Sequence, residues 1–244
     1  MNRLLSFLYG VFCYLAFLVT FLYLIGFVGD LPVPKSVDSG VPAPAVLAIP
    51  INLALVALFG IQHSVMARPG FKQWWTHFVP PAIERSSYVL LANVALIILF
   101  TLWVPMPQQV WLVQSSLAAT VIWVVFALGW VLVLSSTFLI NHFDLFGLRQ
   151  VYMNLKNKEY APIGFRTPFF YRIVRHPLML GFIVSFWAAP MMTVGRLLFA
   201  ASMTTYILIA LQLEEHDLAA YFGEAYQKYR QRVSMLVPWR ERKI

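Results

Sequence analysis

Six long apolar segments, separated by shorter polar stretches, set the pattern of the chain. They occupy residues 4–28, 45–66, 88–104, 112–140, 178–194 and 197–213. Each is close to the roughly 20 residues that a helix needs to cross the hydrocarbon core of a bilayer. Only helices and closed barrels satisfy their backbone hydrogen bonds in that environment. The pattern therefore predicts an all-α fold, a polytopic integral membrane helical bundle.

The last two apolar segments are separated only by Gly195 and Arg196, and Pro190 lies just before them. This spacing predicts a tight helical hairpin, so the bundle is expected to have about six spans, five plus a helical hairpin. Residues 30–44 contain four prolines and are predicted to form an extended loop. We see no internal repeat and no second domain, which predicts a single transmembrane domain over residues 1–244.

The distribution of charged residues predicts the orientation of the bundle in the membrane. Only 11% of the chain is charged, against about 25% in soluble domains. Six spans place both termini on one side, and that side then holds all 18 lysines and arginines except Lys35 and Arg196, which is 16 against 2. Because cytoplasmic loops are rich in Lys and Arg, we predict a bacterial inner-membrane protein with both termini in the cytoplasm. The same bias accounts for the net charge of +8, so we expect no nucleic-acid partner.

Several kinds of chemistry have little support in the sequence. Cys13 is the single cysteine, so a disulfide framework and a cysteine-based metal site are excluded. The five histidines show no H-E-x-x-H spacing, and the chain has no Gly-rich phosphate loop and no G-x-S-x-G elbow. We therefore expect no metal site. A pair of membrane histidines that bind haem remains an alternative.

Two polar stretches, residues 141–177 and 214–244, are where water-soluble chemistry can meet the membrane. The first contains His142 and Asp144, and a histidine beside a carboxylate can act as a general base. A simple helix cap and loop is the competing interpretation. The second is predicted to continue the last helix as an amphipathic segment, with leucine and aromatic residues at spacings of four. Trp239, followed by basic residues, suits an interfacial anchor.

The segment 171–182 lies where a cytoplasmic loop enters the fifth span. Pro177 suits the first turn of a helix, which places Arg175 and His176 just outside it. Free backbone N–H groups at this end could meet a carboxylate or another polar ligand edge. Gly181, one turn further on, permits a close backbone approach. The alternative is that Arg175 is only a topological anchor and His176 a chance polar residue.

Two adjacent carboxylates, Glu214 and Glu215, end the sixth span, where charge is costly and is by default a functional hypothesis. Adjacent helical residues point about 100° apart, so at most one of the two can face a central pocket. The other is expected to pair with an arginine, either Arg175 or Arg232. Two solvated carboxylates at a helix end are the alternative.

These motifs together resemble the isoprenylcysteine carboxyl methyltransferase superfamily. RHPLMLGF matches R-H-P-x-x-x-G, and EEHDLAAYFGEAYQKYRQRVSMLVP matches E-E-x-x-L-x-x-x-F-G-x-x-Y-x-x-Y-x-x-x-V-x-x-x-x-P. In that superfamily the two blocks form the S-adenosylmethionine site. The resemblance thus implies a cofactor site mainly within residues 141–182 and 212–239. It implies that the cofactor is held by Arg175, His176, Pro177, Gly181, Glu214, Glu215, Tyr226 and Arg232.

Other positions indicate which branch of this superfamily the sequence resembles. Met179 stands where carboxyl methyltransferases usually have Tyr, and QHSVMARPGFK, ERSSYVLLAN and NHFDLFGLRQV look like the nurim-like branch and its bacterial methanethiol S-methyltransferases. This implies methylation of a small hydrophobic thiol, methanethiol, to dimethyl sulfide at the cytoplasmic face. The thiol proton could go to His142 with Asp144, to His176, or to a glutamate such as Glu215. A carboxyl methyltransferase of a lipidic or prenylated cysteine and a non-enzymatic nurim-like protein are the alternatives.

Overall fold

The computed structural model describes residues 2–238, and most of them are helical. The helices are α1 Arg3–Gly29, α2 Ala45–Ala67, α3 Pro69–Trp75, α4 Pro81–Leu102, α5 Ser116–Ile140, α6 His142–Leu145, α7 Leu148–Leu155, α8 Pro177–Trp187, α9 Val194–Phe222 and α10 Glu224–Arg232. Two short strands, β1 Gln109–Leu112 and β2 Met191–Thr193, pair with each other, and Phe169–Arg172 forms a 3-10 turn. The predicted all-α fold is confirmed.

Within residues 2–238, five helices are long and apolar enough to cross a membrane, namely α1, α2, α4, α5 and α9. Helix α8 is also apolar but has 11 residues, so it extends about 16 Å, roughly half of a hydrocarbon core. The predicted polytopic membrane architecture is confirmed. The cytoplasmic orientation of both termini stays a prediction.

The first of two compact units consists of Met1–Gln108, His142–Ala161 and Thr193–Phe199. Its interior includes four buried rings, since Phe27 packs against Phe100, Trp103 and Phe199 at centroid distances of 4.9, 6.2 and 5.8 Å. Helices α1 and α7 approach closely because Gly10 lies beneath Val151, where a Cβ would be only 2.5 Å from a valine methyl group. Close packing of apolar side chains thus organises this unit.

The predicted hairpin turn at Gly195 and Arg196 is wrong. The break between the two helices lies at residues 188–193, and both residues belong to the first turn of α9. The Gly195 N–H donates to the Met106 carbonyl, so its backbone is satisfied by a distant segment. Arg196 is buried, and its Nε lies 2.7 Å from Oδ2 of Asp38, while Oδ1 of Asp38 accepts a hydrogen bond from Thr193. This buried ion pair holds the loop of residues 30–44 to the start of α9.

The second compact unit consists of Gln109–Asn141, Pro162–Met192 and Ala200–Ile244. In it α8 packs antiparallel to α5, since Gly181 lies against Gly129 and Val133 while Ser185 donates to the Phe126 carbonyl at 3.2 Å. A Cβ on Gly181 would lie 2.7 Å from the Gly129 carbonyl oxygen. The predicted close backbone approach at Gly181 is confirmed.

Helix α9 has 29 residues and is therefore about 43 Å long. It extends beyond the predicted span, through Glu214 and Glu215, to Phe222. The predicted continuation is confirmed up to that residue. It is interrupted at Gly223, whose φ of 57° and ψ of −130° favour glycine, and α10 follows. The anchor predicted at Trp239 lies outside the described residues, and the single domain stays a prediction.

Candidate active site

The start of α8 is built as the sequence indicates, with Pro177 at the first helical position and His176 as the N-cap. Beside it, Val174 forms a parallel bridge with Ser234, and the backbone N–H groups of Arg175 and His176 donate to the carbonyls of Ser234 and Met235 at 2.9 and 3.1 Å. The segment after α10 therefore fixes the backbone of both residues. The His176 side chain does not cap α8, so it leaves the first-turn N–H groups uncapped from that side.

Glu215 is the buried member of the carboxylate pair, with 3% exposure. Its Oε1 lies 2.6 Å from both Nε and Nη2 of Arg175 and 3.1 Å from His176 Nε2, while Oε2 lies 3.1 Å from Nε of Arg230. A buried carboxylate requires this kind of compensation, because an unpaired buried charge is costly. Glu214 is half-exposed, and its Oε2 is 4.0 Å from His176 Nδ1. One carboxylate is thus enclosed by cations and the other is accessible.

The arginine pairing was predicted only in part. Arg175 does contact Glu215, but Arg232 is exposed in the last turn of α10 and Arg230 makes the second contact. Arg230 was missed. A signal was present, because it follows Tyr226 by four residues and so shares its face of α10.

Arg175 also donates through Nη1 to the carbonyl oxygens of Arg230, at 3.2 Å, and Val233. These are the last carbonyls of α10, where a cation is favourable. Its guanidinium group therefore connects the start of α8, the carboxylate of Glu215 on α9 and the end of α10.

Tyr226 lies beside this cluster with 2% exposure, and its Oη is buried without a hydrogen-bond partner among residues 2–238. Burial, with a further contribution from the charge of Glu215, raises the pKa of Tyr226 to about 12, although the nearby guanidinium group of Arg175 opposes the shift. Nearby, Tyr229 donates to the Tyr171 carbonyl at 2.5 Å, and Phe165 packs against both tyrosines of α10. Buried polar atoms are rarely unsatisfied, so the Tyr226 phenol offers a hydrogen bond to a ligand.

The first unit holds the other predicted pair. His142 is buried, and its Nε2 lies 2.8 Å from the Tyr14 hydroxyl. Burial lowers the pKa of His142, so the ring is neutral at neutral pH. Asp144 accepts hydrogen bonds from Arg149 at 3.0 Å and from Tyr160 at 3.2 Å. A catalytic role for His142 and Asp144 stays a prediction.

The predicted site residues thus fall into two groups. The structure brings together, in the second unit, Arg175, His176, Glu214, Glu215 and Tyr226, with Pro177 beside them at the start of α8, whereas Gly181 packs against α5 and Arg232 is exposed. Among residues 2–238, no group of three or more His, Cys, Asp or Glu side chains is arranged to hold a metal ion. The charged cluster of the second unit presents groups of both signs, with Glu214 and Arg230 its accessible members.

Comparison with known proteins gives consistent matches. The NnrU protein family matches residues 52–237. The chain is 57% identical over 242 residues to methanethiol S-methyltransferase of Mycobacterium tuberculosis, covering 99% of both chains. It is 56% identical over 239 residues to methanethiol S-methyltransferase 1 of Bradyrhizobium diazoefficiens, covering 98% of this chain and 84% of the relative. Nurim of Bos taurus is 30% identical over 176 residues, 68% of this chain and 66% of the relative. No solved structure matches the chain.

Proposed function

Because this chain belongs to the NnrU protein family and is 57% and 56% identical to two bacterial relatives named methanethiol S-methyltransferase, we propose that it methylates methanethiol to dimethyl sulfide. The similarity over nearly the full length of those relatives carries the proposal. The buried cluster of Arg175, His176 and Glu215 supports it, because a chain that served only as a scaffold would gain little from a buried ion cluster.

We propose S-adenosylmethionine as the methyl donor. When bound, it supplies an electrophilic methyl group on a positively charged sulfur, and it carries a carboxylate, an ammonium group and an adenine ring. The second unit offers groups of matching character. Glu214 is an accessible carboxylate, Arg230 an accessible cation, and the buried Tyr226 hydroxyl an unused donor. The aromatic side chains of Phe165 and Tyr229 provide apolar surface beside them.

His176 is the proposed acceptor of the thiol proton. Glu215 lies against two guanidinium groups, which favours its ionised form, and an ionised carboxylate can only accept hydrogen bonds. His176 Nε2 contacts this carboxylate, so Nε2 carries the ring hydrogen and Nδ1 has the lone pair. When Nδ1 takes the proton, the S–H bond breaks and an imidazolium forms between Glu214 and Glu215, which stabilise it. The thiolate that remains is the stronger nucleophile.

His142 with Asp144 is the second candidate for the proton acceptor. The lowered pKa of His142 keeps its imidazole neutral and able to accept a proton at neutral pH. Replacement of each histidine by glutamine distinguishes the two candidates. Loss of turnover in His176→Gln with retained turnover in His142→Gln is the expected result.

The reaction is proposed to take place at the cytoplasmic face of a bacterial inner membrane. The distribution of 16 basic residues against 2 supports this orientation. Gly164 is exposed, and no atom of the described residues lies within 4 Å of its Cβ position, whereas the native Cys13 is buried. Gly164→Cys should therefore react with a membrane-impermeant maleimide in inside-out vesicles and not in right-side-out vesicles. The opposite pattern would reverse the proposed topology.

The function is tested with purified protein, methyl-labelled S-adenosylmethionine and methanethiol. We expect the label to appear as dimethyl sulfide in the headspace. His176→Gln should abolish this product, whereas His216→Gln, which changes an exposed histidine of α9, should retain it. Label in a base-labile ester of a lipidic cysteine substrate would instead identify a carboxyl methyltransferase. No label anywhere, without binding of S-adenosylhomocysteine, would identify a non-enzymatic protein.

A further inference from the structure

The guanidinium group of Arg175 is already saturated by protein groups. Its Nε and Nη2 contact Glu215, and its Nη1 donates to the carbonyls of Arg230 and Val233. The side chain is only 9% exposed. A guanidinium group has five N–H donors in a fixed planar arrangement. Since all three nitrogens of Arg175 are engaged, it has little capacity left for a ligand.

Arg230 differs from Arg175 both in its exposure and in the number of its contacts with protein groups. Its side chain is 51% exposed, and its Nε lies 3.1 Å from Oε2 of Glu215. Within residues 2–238, Glu215 is the one ion-pair partner of this guanidinium group. Both Nη groups thus remain to bind a ligand, while the contact at Nε holds the plane of the group in a defined orientation. An oriented guanidinium with two unused nitrogens matches a carboxylate, which it can bind through two parallel hydrogen bonds.

The balance of charges in the cluster also favours a ligand carboxylate. Arg175 and Arg230 supply two positive charges, and Glu215 supplies one buried negative charge between them. Among residues 2–238, the ion-pair contact of Glu214 is with His176, at 4.0 Å from Nδ1, and not with either arginine. The arginine side of the cluster is therefore one negative charge short, and a ligand carboxylate would supply it.

We infer that Arg230 binds the carboxylate of the methyl donor's amino-acid group, and that Arg175 is a positioning residue that holds Glu215 and the end of α10 without contacting the donor. This inference rests on the proposed function. It changes the roles that the family resemblance implies for Arg175 and Arg232.

Two ligands that differ in the amino-acid group test the inference. S-adenosylhomocysteine carries this carboxylate, and 5′-methylthioadenosine lacks it. Binding of each to the full chain in detergent is measured by calorimetry. Arg230→Gln should weaken S-adenosylhomocysteine binding about 10- to 100-fold, as expected for a hydrogen-bonded ion pair, and leave 5′-methylthioadenosine binding unchanged. Lys228→Gln, an exposed position on the same helix, should change neither.

Two further variants separate binding from folding. Arg230→Lys keeps the positive charge near Glu215 and removes the planar fork, so it should lose part of the S-adenosylhomocysteine affinity and stay folded. Arg175→Lys should weaken both ligands by a similar factor and lower the thermal unfolding midpoint, because it loosens the whole cluster. Selective loss of S-adenosylhomocysteine in Arg175→Lys, with normal binding in Arg230→Gln, would overturn the inference.

The outcome for the unmodified chain distinguishes this inference from the proposed function. If that chain binds neither ligand, the proposed methyl donor is wrong and the inference fails with it. If it binds S-adenosylhomocysteine normally and Arg230→Gln weakens both ligands equally or neither, only the role of Arg230 is overturned.

Discussion

Gly129 of α5 and Gly181 of α8 pack backbone against backbone. A Cβ added to Gly129 would lie 2.9 Å from the Gly181 carbonyl oxygen, and one added to Gly181 would lie 2.7 Å from the Gly129 carbonyl oxygen. The contact is reciprocal, so neither helix can shift without the other. It lies five residues after His176, which means that the position of the candidate base depends on two residues without side chains.

Gly181→Ala should therefore destabilise the protein by about 1–3 kcal/mol, the usual cost of overpacking. The obstacles are the Gly129 carbonyl and the Val133 backbone nitrogen, at 2.7 and 2.9 Å from the added Cβ, and backbone atoms cannot rotate away. We also expect weaker S-adenosylhomocysteine binding, because the first turn of α8 must move. The measurements are the thermal unfolding midpoint and the binding affinity. Gly70→Ala is the control, since nothing lies within 4 Å of its Cβ position; equal midpoints for both variants would contradict the prediction.

Glu215→Gln should be among the most destabilising single substitutions in the second unit. It removes the negative charge that two guanidinium groups share and leaves the buried Arg175 uncompensated, which typically costs about 3–5 kcal/mol. Chemical unfolding followed by tryptophan fluorescence measures the loss. Glu224→Gln changes an exposed carboxylate that pairs with Lys228 across one helical turn, and it should have little effect. A similar stability for the two variants would show that the buried cluster contributes nothing.

Tyr226→Phe should separate stability from binding. The hydroxyl is buried without a hydrogen-bond partner in the part of the chain that the structure describes, so its removal should leave the unliganded protein equally or more stable. Binding of S-adenosylhomocysteine should weaken about 5- to 10-fold, the value of one hydrogen bond. Because the pKa of Tyr226 is about 12, the phenol stays protonated and the loss should be constant from about pH 6 to pH 9.

Tyr229→Phe is the matched control for this substitution. Its hydroxyl already donates to the Tyr171 carbonyl, so the change should lower stability and leave affinity intact. If Tyr226→Phe behaves in the same way, the Tyr226 hydroxyl does not meet the ligand.

Asp38 should make the first unit less stable as the pH rises. Burial raises the pKa of Asp38 above its ordinary value of 3.8, although Thr193 and Arg196 oppose the shift. An acid with a raised folded-state pKa contributes stability that is fully present below the unfolded pKa and is lost as the pH rises through the folded one. The stability of the unmodified protein relative to Asp38→Asn should therefore fall as the pH increases from about 3.8 upward.

Thermal unfolding midpoints measured over that pH range test the effect of Asp38. Glu159→Gln, a change at an exposed carboxylate, should parallel the unmodified protein throughout. A relative stability that increases with pH would show that the ion pair with Arg196 outweighs burial.

The parts of the fold that depend on local sequence were predictable. Lengths of apolar segments indicate membrane helices, and Pro177 indicates the first turn of α8. The predicted hairpin turn failed because Gly195 and Arg196 resemble a break when only their neighbours are considered. The buried position of Arg196 depends on Asp38, 158 residues earlier. A local pattern carries no information about such a partner.

In the candidate site, too, residues in local motifs were predictable and contacts between distant segments were not. Arg175, His176 and Glu215 stand in recognisable motifs, whereas Arg230 stands out only once α10 is placed against Glu215. Likewise, the sequence shows that Tyr226 could be buried and not that its hydroxyl lacks a partner. Pairwise geometry between distant segments decides both features.

The pairing of residues 174–176 with residues 234 and 235 has a consequence for biosynthesis. All five long apolar helices end before Gly223, so a nascent chain can insert each of them while Arg230, Val233 and Ser234, which also contact Arg175, are still being translated. Membrane insertion and completion of the ion cluster are therefore separate events in time. Until the ribosome has added Arg230, the buried carboxylate of Glu215 on α9 lacks one of its two guanidinium partners.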